Sequence, residues 1–134
     1  MGMEKIRILV IDNETEILEM LSLIFSFEPD MEAFTLSDVL HWREAIERFH
    51  PSIVLVDYRM PAMSGESLIQ ALNASGLRSS IQVVALFSAT PFSPAEIQKI
   101  GADVFFEKPF DIKNLVSSLR SLMRREVLNL GALA

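Results

Sequence analysis

Three stretches of the chain are apolar without a regular polar alternation: residues 6–11 (IRILVI), 52–56 (SIVLV) and 81–88 (IQVVALFS). A strand with one face in water alternates, whereas a strand covered on both faces does not, so these runs read as parallel strands beneath helices on either side. Residues 31–36 (MEAFTL) and 103–107 (DVFFE) are weaker strand candidates. Between the strands, apolar residues recur at three and four. Ile17, Leu18, Leu21, Ile24 and Phe25 form one helical stripe, with Glu14, Glu16 and Glu19 in the early turns where the helix dipole favours negative charge. Trp42, Ala45, Ile46 and Phe49 form a second, ended by His50-Pro51, and residues 67–72 a third, stopped by NASG at 73–76. Ser93-Pro94 reads as an N-cap followed by proline at the first helical position, with Ile100 near the end and Gly101 after it. A last helix starts near Asp111 and turns Ile112, Leu115, Val116, Leu119, Leu122 and Met123 inward, with Arg120, Arg124 and Arg125 near its C-terminal end. Strand followed by helix, five times over, predicts an open, parallel, three-layer α/β sheet.

A chain of 134 residues, 50% hydrophobic and 22% charged, suits one such domain with a sizeable core. Its 12 basic residues against 18 acidic ones give a charge of −6, which opposes direct binding of nucleic acid or an anionic membrane by this domain. The absence of cysteine removes disulfides, Cys-ligated zinc and thiol nucleophiles. The N-terminal MGMEKIRILVI has neither the apolar stretch nor the cleavage site of a secretory signal, and Ile6 stands where a myristoylation pattern needs Ser or Thr. No apolar run approaches the ~18 residues of a membrane span. A cytoplasmic protein is expected.

In a doubly wound sheet of order 2-1-3-4-5, ligands bind outside the carboxyl ends of strands 1 and 3, where the strand order reverses. Strand 1 ends in Asp12-Asn13-Glu14, strand 3 in Asp57, strand 4 in Ser88-Ala89 and strand 5 in Glu107-Lys108-Pro109. Neighbouring first and third strands bring Asp12 and Asp57 to one crevice, with Ser88 and Lys108 beyond. Two converging carboxylates raise each other's pKa unless a cation lies between them. Oxygen ligands make that cation hard, and a site open to a phosphoryl group suits Mg²⁺ better than Ca²⁺, with Mn²⁺ as a substitute. A lysine and a hydroxyl at the same rim supply a positive charge and a hydrogen bond to phosphoryl oxygens. The chemistry such a set supports is attack of a carboxylate on phosphorus, leaving an acyl phosphate.

From about Lys5 to Arg125 the chain resembles the CheY-like receiver domain of two-component response regulators. ILVIDNETEILEML is similar to that family's first strand, acidic cluster and first helix; IVLVDYRMPAMSG to its phosphoacceptor strand and following turn; VVALFSA to its fourth strand; and GADVFFEKPF to its fifth strand with Lys-Pro. The resemblance implies the flavodoxin-like order 2-1-3-4-5, phosphorylation of Asp57 by a histidine kinase or phosphotransfer protein, and Mg²⁺ held by Asp12, Asp57 and the backbone carbonyl of Arg59. It implies that Ser88 and Lys108 contact the phosphoryl oxygens, that Ser88 and Phe105 act as the switch, and that the Lys108-Pro109 bond is often cis. The fourth helix, fifth strand and fifth helix would then carry the signal to an effector domain or to a second copy, while the domain itself is no enzyme beyond its own phosphoryl transfer and dephosphorylation. Residues 126–134 read as a helix extension or as a linker to an effector domain.

Asn13 departs from the pattern, because family members usually have a second acid there. Its amide oxygen still coordinates Mg²⁺ but brings no charge, so weaker metal binding is expected. Shifting the register by one makes Asp12 the second acid and Ile11 the substitute for the first, at the expense of the match through Glu14 to Leu21. Asp57 also suits a plain cap of the turn before the third helix, and Asp12 a plain cap of the first helix. A receiver-like binding module that no longer depends on phosphate is the rival function. A phosphatase with an aspartyl nucleophile ranks last, since Arg59 stands where its general acid belongs. His41 and His50 lack an acidic or histidine partner at ligand spacing and read as loop or surface residues.

Overall fold

The structure is a computed structural model that describes the backbone of residues 4–133 and the side chains of residues 4–124. Strands β1 (Ile6–Ile11), β2 (Met31–Leu36), β3 (Ile53–Asp57), β4 (Val83–Ser88) and β5 (Val104–Glu107) form one parallel sheet in the order β2-β1-β3-β4-β5. Helices α1 (Thr15–Ser26), α2 (Trp42–Phe49), α3 (Gly65–Ala74), α4 (Pro94–Ile100) and α5 (Ile112–Leu133) connect and follow them, so the expected doubly wound fold is the one observed.

Successive strand residues point to opposite faces, and both faces are covered. Ile8, Val10, Ile53, Leu55, Val83, Ala85 and Phe87 pack with Leu18, Leu21 and Phe25 of α1 and Leu115, Val116 and Leu119 of α5. Leu9, Ile11, Val54, Val56, Val84 and Leu86 pack with residues of α2, α3 and α4. Residues 8–11, 53–56 and 83–87 are therefore apolar throughout, which is why those runs do not alternate. In register, Ile8 lies beside Ile53 and Val10 beside Leu55. The next residues of the same parity are Asp12 and Asp57, so one alternation carries both acids to the α1/α5 side at the carboxyl edge.

The helix ends follow local chemistry. Ser93 and Glu96 form a reciprocal capping box with Pro94 at the start of α4, and Gly101 closes that helix at φ +93°, a left-handed conformation that favours glycine. Ser64 caps α3 from a position outside the expected stripe, so the helix begins at Gly65. β4 starts at Val83 rather than at residue 81, after a 3-10 turn at Arg78–Ser80. β5 starts at Val104 because the Asp103 carboxylate turns back to accept from the Val84 N–H at 2.7 Å and to pair with Arg78.

Three expectations are corrected. Ile112, expected inward, is 46% exposed as the first residue of α5 at the sheet's rim. His41 does have acidic partners, Asp38 at 3.4 Å and Glu44 at 3.2 Å, each three residues away on a helical turn at the surface. The arginines do not sit at a helix end, since α5 continues to Leu133; the Arg125 side chain lies outside the described residues.

Arg120 reaches from α5 to the turn between α1 and β2. Its Nε and Nη2 donate to the two carboxylate oxygens of Asp30 at 2.8 Å each, and Nη2 also donates to Glu28 at 2.7 Å. These bonds hold the Asp30 carboxyl below its ordinary pKa and raise that of Arg120. The planar fork makes this stronger than an ordinary surface pair, although water screens it. Arg120→Ala is expected to lower stability by about 1 kcal/mol in urea unfolding, with the loss shrinking at high salt.

Candidate functional site

The carboxyl edge of the sheet brings three charged groups together. Asp12 is fully buried and Asp57 is 3% exposed. The Lys108 Nζ lies 3.2 Å from Asp57 Oδ1 and 3.6 Å from Asp12 Oδ2. The lysine is placed by its own backbone, whose N–H donates to the Ser88 carbonyl at 2.8 Å, before the cis Lys108-Pro109 bond. Its ammonium also stands 4.8 Å from the centroid of the Phe87 ring, which Phe110 meets edge-on.

One cation is too little charge for two buried anions. At 3.2–3.6 Å each attraction is worth about 4–5 kcal/mol at an effective dielectric of ~20, while burying each ion costs several kcal/mol. The imbalance appears in the acids. Burial first, and then the charge of Asp12, raise the Asp57 pKa to about 6. Burial likewise raises Asp12, against the lowering effect of the Glu14 N–H that donates to its Oδ1 at 2.9 Å. Asp12 Oδ2 is buried and has no hydrogen-bond partner among the described residues.

That orphaned oxygen, facing a second acid across an incompletely neutralised pocket, fits a divalent cation. Among the described residues no three His, Cys, Asp or Glu side chains form a metal-binding group. A metal here would therefore take oxygens from amides and carbonyls as well as from the two acids. Asn13 is exposed directly after Asp12, and Arg59 is exposed in the bend after β3.

The structure thus gathers Asp12, Asp57 and Lys108 as expected, while the parity of the sheet turns Phe105 to the opposite side. Ser88 is buried with its Oγ accepting from the Thr90 N–H at 3.0 Å; among the described residues its hydroxyl makes no bond to either acid. Phe106 is buried against α1 and α5, whereas Phe105 packs, partly buried, on the α2/α3/α4 side. The N-cap of α1 is Glu14, with no side-chain cap bond, so Asp12 does not cap that helix; its Oδ1 accepts instead from the N–H of Glu14, while Oδ2 stays unpartnered among the described residues.

Glu14 and Gly65 belong to the site without having been singled out for it. The Glu14 charge pushes both Asp12 and Asp57 upward. The Gly65 N–H closes the loop after β3 by donating to the Tyr58 carbonyl at 2.8 Å, and a Cβ on Gly65 would clash with the Asp57 carbonyl oxygen. An acid beside the DN pair was visible in the sequence, but the close approach at Gly65 depends on how the loop folds back.

Comparison with known proteins adds an independent line. Residues 8–120 match the model of the response regulator receiver domain family. The DNA-binding response regulator MtrA of Mycobacterium tuberculosis is 30% identical over 120 residues, covering 89% of this chain and 51% of that protein. The transcriptional regulatory protein FixJ of Azorhizobium caulinodans is 30% identical over 123 residues, covering 91% and 57%. The chain spans about half the length of the curated relatives it matches. Among solved structures, a CheY-like receiver domain protein from Methanospirillum hungatei superposes with a TM-score of 0.81 at 22% identity, covering 95% of this chain and 99% of that one. Chemotaxis protein CheY4 of Vibrio cholerae gives 0.78 at 21%, covering 88% and 98%. These superpositions show the shared fold.

The raised Asp57 pKa has a consequence for stability. The folded state holds that proton more tightly than the unfolded chain, so the group's contribution is favourable at low pH and is lost as pH rises through about 6. In chelator, Asp57→Asn should match the wild type near the ordinary carboxylate pKa and exceed it above about 6, by on the order of 2 kcal/mol. Urea unfolding of both proteins across that range measures the difference.

Proposed function

The chain belongs to the response regulator receiver domain family, and from that membership we propose that it is a phosphorylation-driven receiver in two-component signalling, with Asp57 as the phosphoacceptor. The donor is a phosphohistidine on a histidine kinase or phosphotransfer protein. An Asp57 oxygen forms a bond to phosphorus as the phosphorus–nitrogen bond breaks; the electron pair remains on the imidazole nitrogen, which takes a proton from water. Lys108, already 3.2 Å from Asp57, is within reach of an oxygen of the transferred group.

Asp12, Asp57, the Asn13 amide oxygen and the Arg59 carbonyl are the groups that would hold Mg²⁺, or Mn²⁺ in its place. When bound, the metal supplies the positive charge that phosphoryl oxygens need beside two carboxylates. Ser88 is the hydroxyl that would bind a phosphoryl oxygen after leaving Thr90, and Phe105 the side chain that changes place in response. The face of α4, β5 and α5 then carries the change to an effector domain or a second copy. Residues 5–125 are the receiver in this reading, and the tail after them extends α5 as far as Leu133. The DNA binding named for the MtrA relatives is not proposed for the receiver itself, whose charge of −6 opposes it. No helix among the described residues is long and apolar enough to cross a membrane, which is consistent with a cytoplasmic site of action.

The observation that carries this reading is the orphaned Asp12 Oδ2 beside a buried Asp57 with one ammonium between them. Incubation with phosphoramidate and Mg²⁺, followed by intact mass, should add one phosphate to the wild type and none to Asp57→Asn. No addition at any Mg²⁺ concentration would contradict it and leave a phosphate-independent binding module. Because Asn13 withholds a charge, Asn13→Asp should tighten Mg²⁺ binding several-fold in calorimetric titration, and unchanged affinity would mean that position 13 stands outside the metal's reach.

A further inference from the structure

The parity that turns Asp57 toward α1 and α5 turns the next residue, Tyr58, toward the other face, where it packs on the α2/α3/α4 core together with Phe92 and Phe105. The Tyr58 ring meets Phe92 edge-on with centroids 4.8 Å apart at 66°, and Phe92 meets Phe105 at 5.6 Å and 85°. Both are favoured aromatic geometries. Among the described residues no ring pair joins Tyr58 directly to Phe105, so Phe92 bridges the acceptor loop and β5.

Phe92 lies on the loop from β4 to α4, and that loop is held at both ends by different means. At the far end Ser93 N–H donates to Glu96 at 3.0 Å and Glu96 N–H donates to the Ser93 hydroxyl at 3.2 Å, a cap independent of the pocket. At the near end the hold is the Ser88 hydroxyl, accepting from Thr90 N–H. A Ser88 hydroxyl drawn elsewhere releases only the near end, and Phe92 is two residues beyond it. Phe92 also lines the groove between α4 and β5, with Ile97, Val104 and Phe105.

We propose that Phe92 is a positioning residue that holds Phe105 in place by ring contact and passes displacement of the acceptor loop and the Ser88–Thr90 turn to the α4–β5 groove. The ring coupling stands on packing alone; its use in signalling rests on the phosphoacceptor reading above.

Tyr58 is the chain's one tyrosine, so 3-fluorotyrosine labels it uniquely. Without phosphate, Phe105→Leu should shift the fluorine resonance when position 92 is native or carries Phe92→Trp, which keeps a ring, and leave it unmoved on a Phe92→Leu background. A shift that survives Phe92→Leu, or none in the native background, overturns the coupling. In a second arm, phosphoramidate and Mg²⁺ should add one phosphate to both the wild type and Phe92→Leu, while hydrogen exchange in α4 changes only in the wild type. Equal exchange changes, or loss of phosphorylation in Phe92→Leu, overturn the signalling role. A wild type that takes no phosphate removes the proposed function and that role together, while the fluorine result still decides the coupling.

Discussion

Two carboxylates buried around a single ammonium are the constraint on which the rest depends. Asp12 is fully buried and Asp57 nearly so, and Lys108 neutralises one charge of two. A fold selected for stability alone would place apolar residues there, because a buried ion pair with a charge left over is worse than well-packed side chains. The pocket is instead left short of positive charge, which is what the proposed dication would supply.

The alternation of strand residues organises function as well as packing. Asp12, Asp57 and Lys108 share the α1/α5 side with the acids' supporting core, while Tyr58, Phe92 and Phe105 lie on the α2/α3/α4 side. The charged pocket and the aromatic contacts are thereby on opposite faces of the sheet yet adjacent in the chain, since residues 57 and 58 are consecutive. The loop after β4 is held at its near end by the Ser88 hydroxyl, whose partner is the backbone N–H of Thr90. A single local hydrogen bond of this kind is where the proposed switch would act.

Much of this was legible in the sequence because it is local or follows from parity. Unbroken apolar runs announced two-sided burial, Ser93-Pro94 and Gly101 announced the bounds of α4, and the acids at two strand ends pointed to one crevice once those strands were neighbours. What escaped depends on long-range geometry. Arg120 pairs with Asp30 across ninety residues, so its local place in α5 suggested only helix-end charge. Ile112 fits a helical stripe but falls on the rim, where no layer covers it. Phe92 is an unremarkable loop aromatic until the sheet brings Tyr58 and Phe105 to either side of it. His41 shows that even a three-residue spacing can be overlooked when the turn that creates it is not anticipated.

The direct measurement is the carboxyl carbon resonance of Asp57 followed against pH, with and without Mg²⁺. An incompletely neutralised, buried acid should titrate near 6 in the metal-free protein, and the midpoint should fall well below that when Mg²⁺ saturates the pocket. A midpoint in the ordinary carboxylate range that Mg²⁺ does not move would contradict the account, because Asp57 would then be neither short of positive charge nor near the metal.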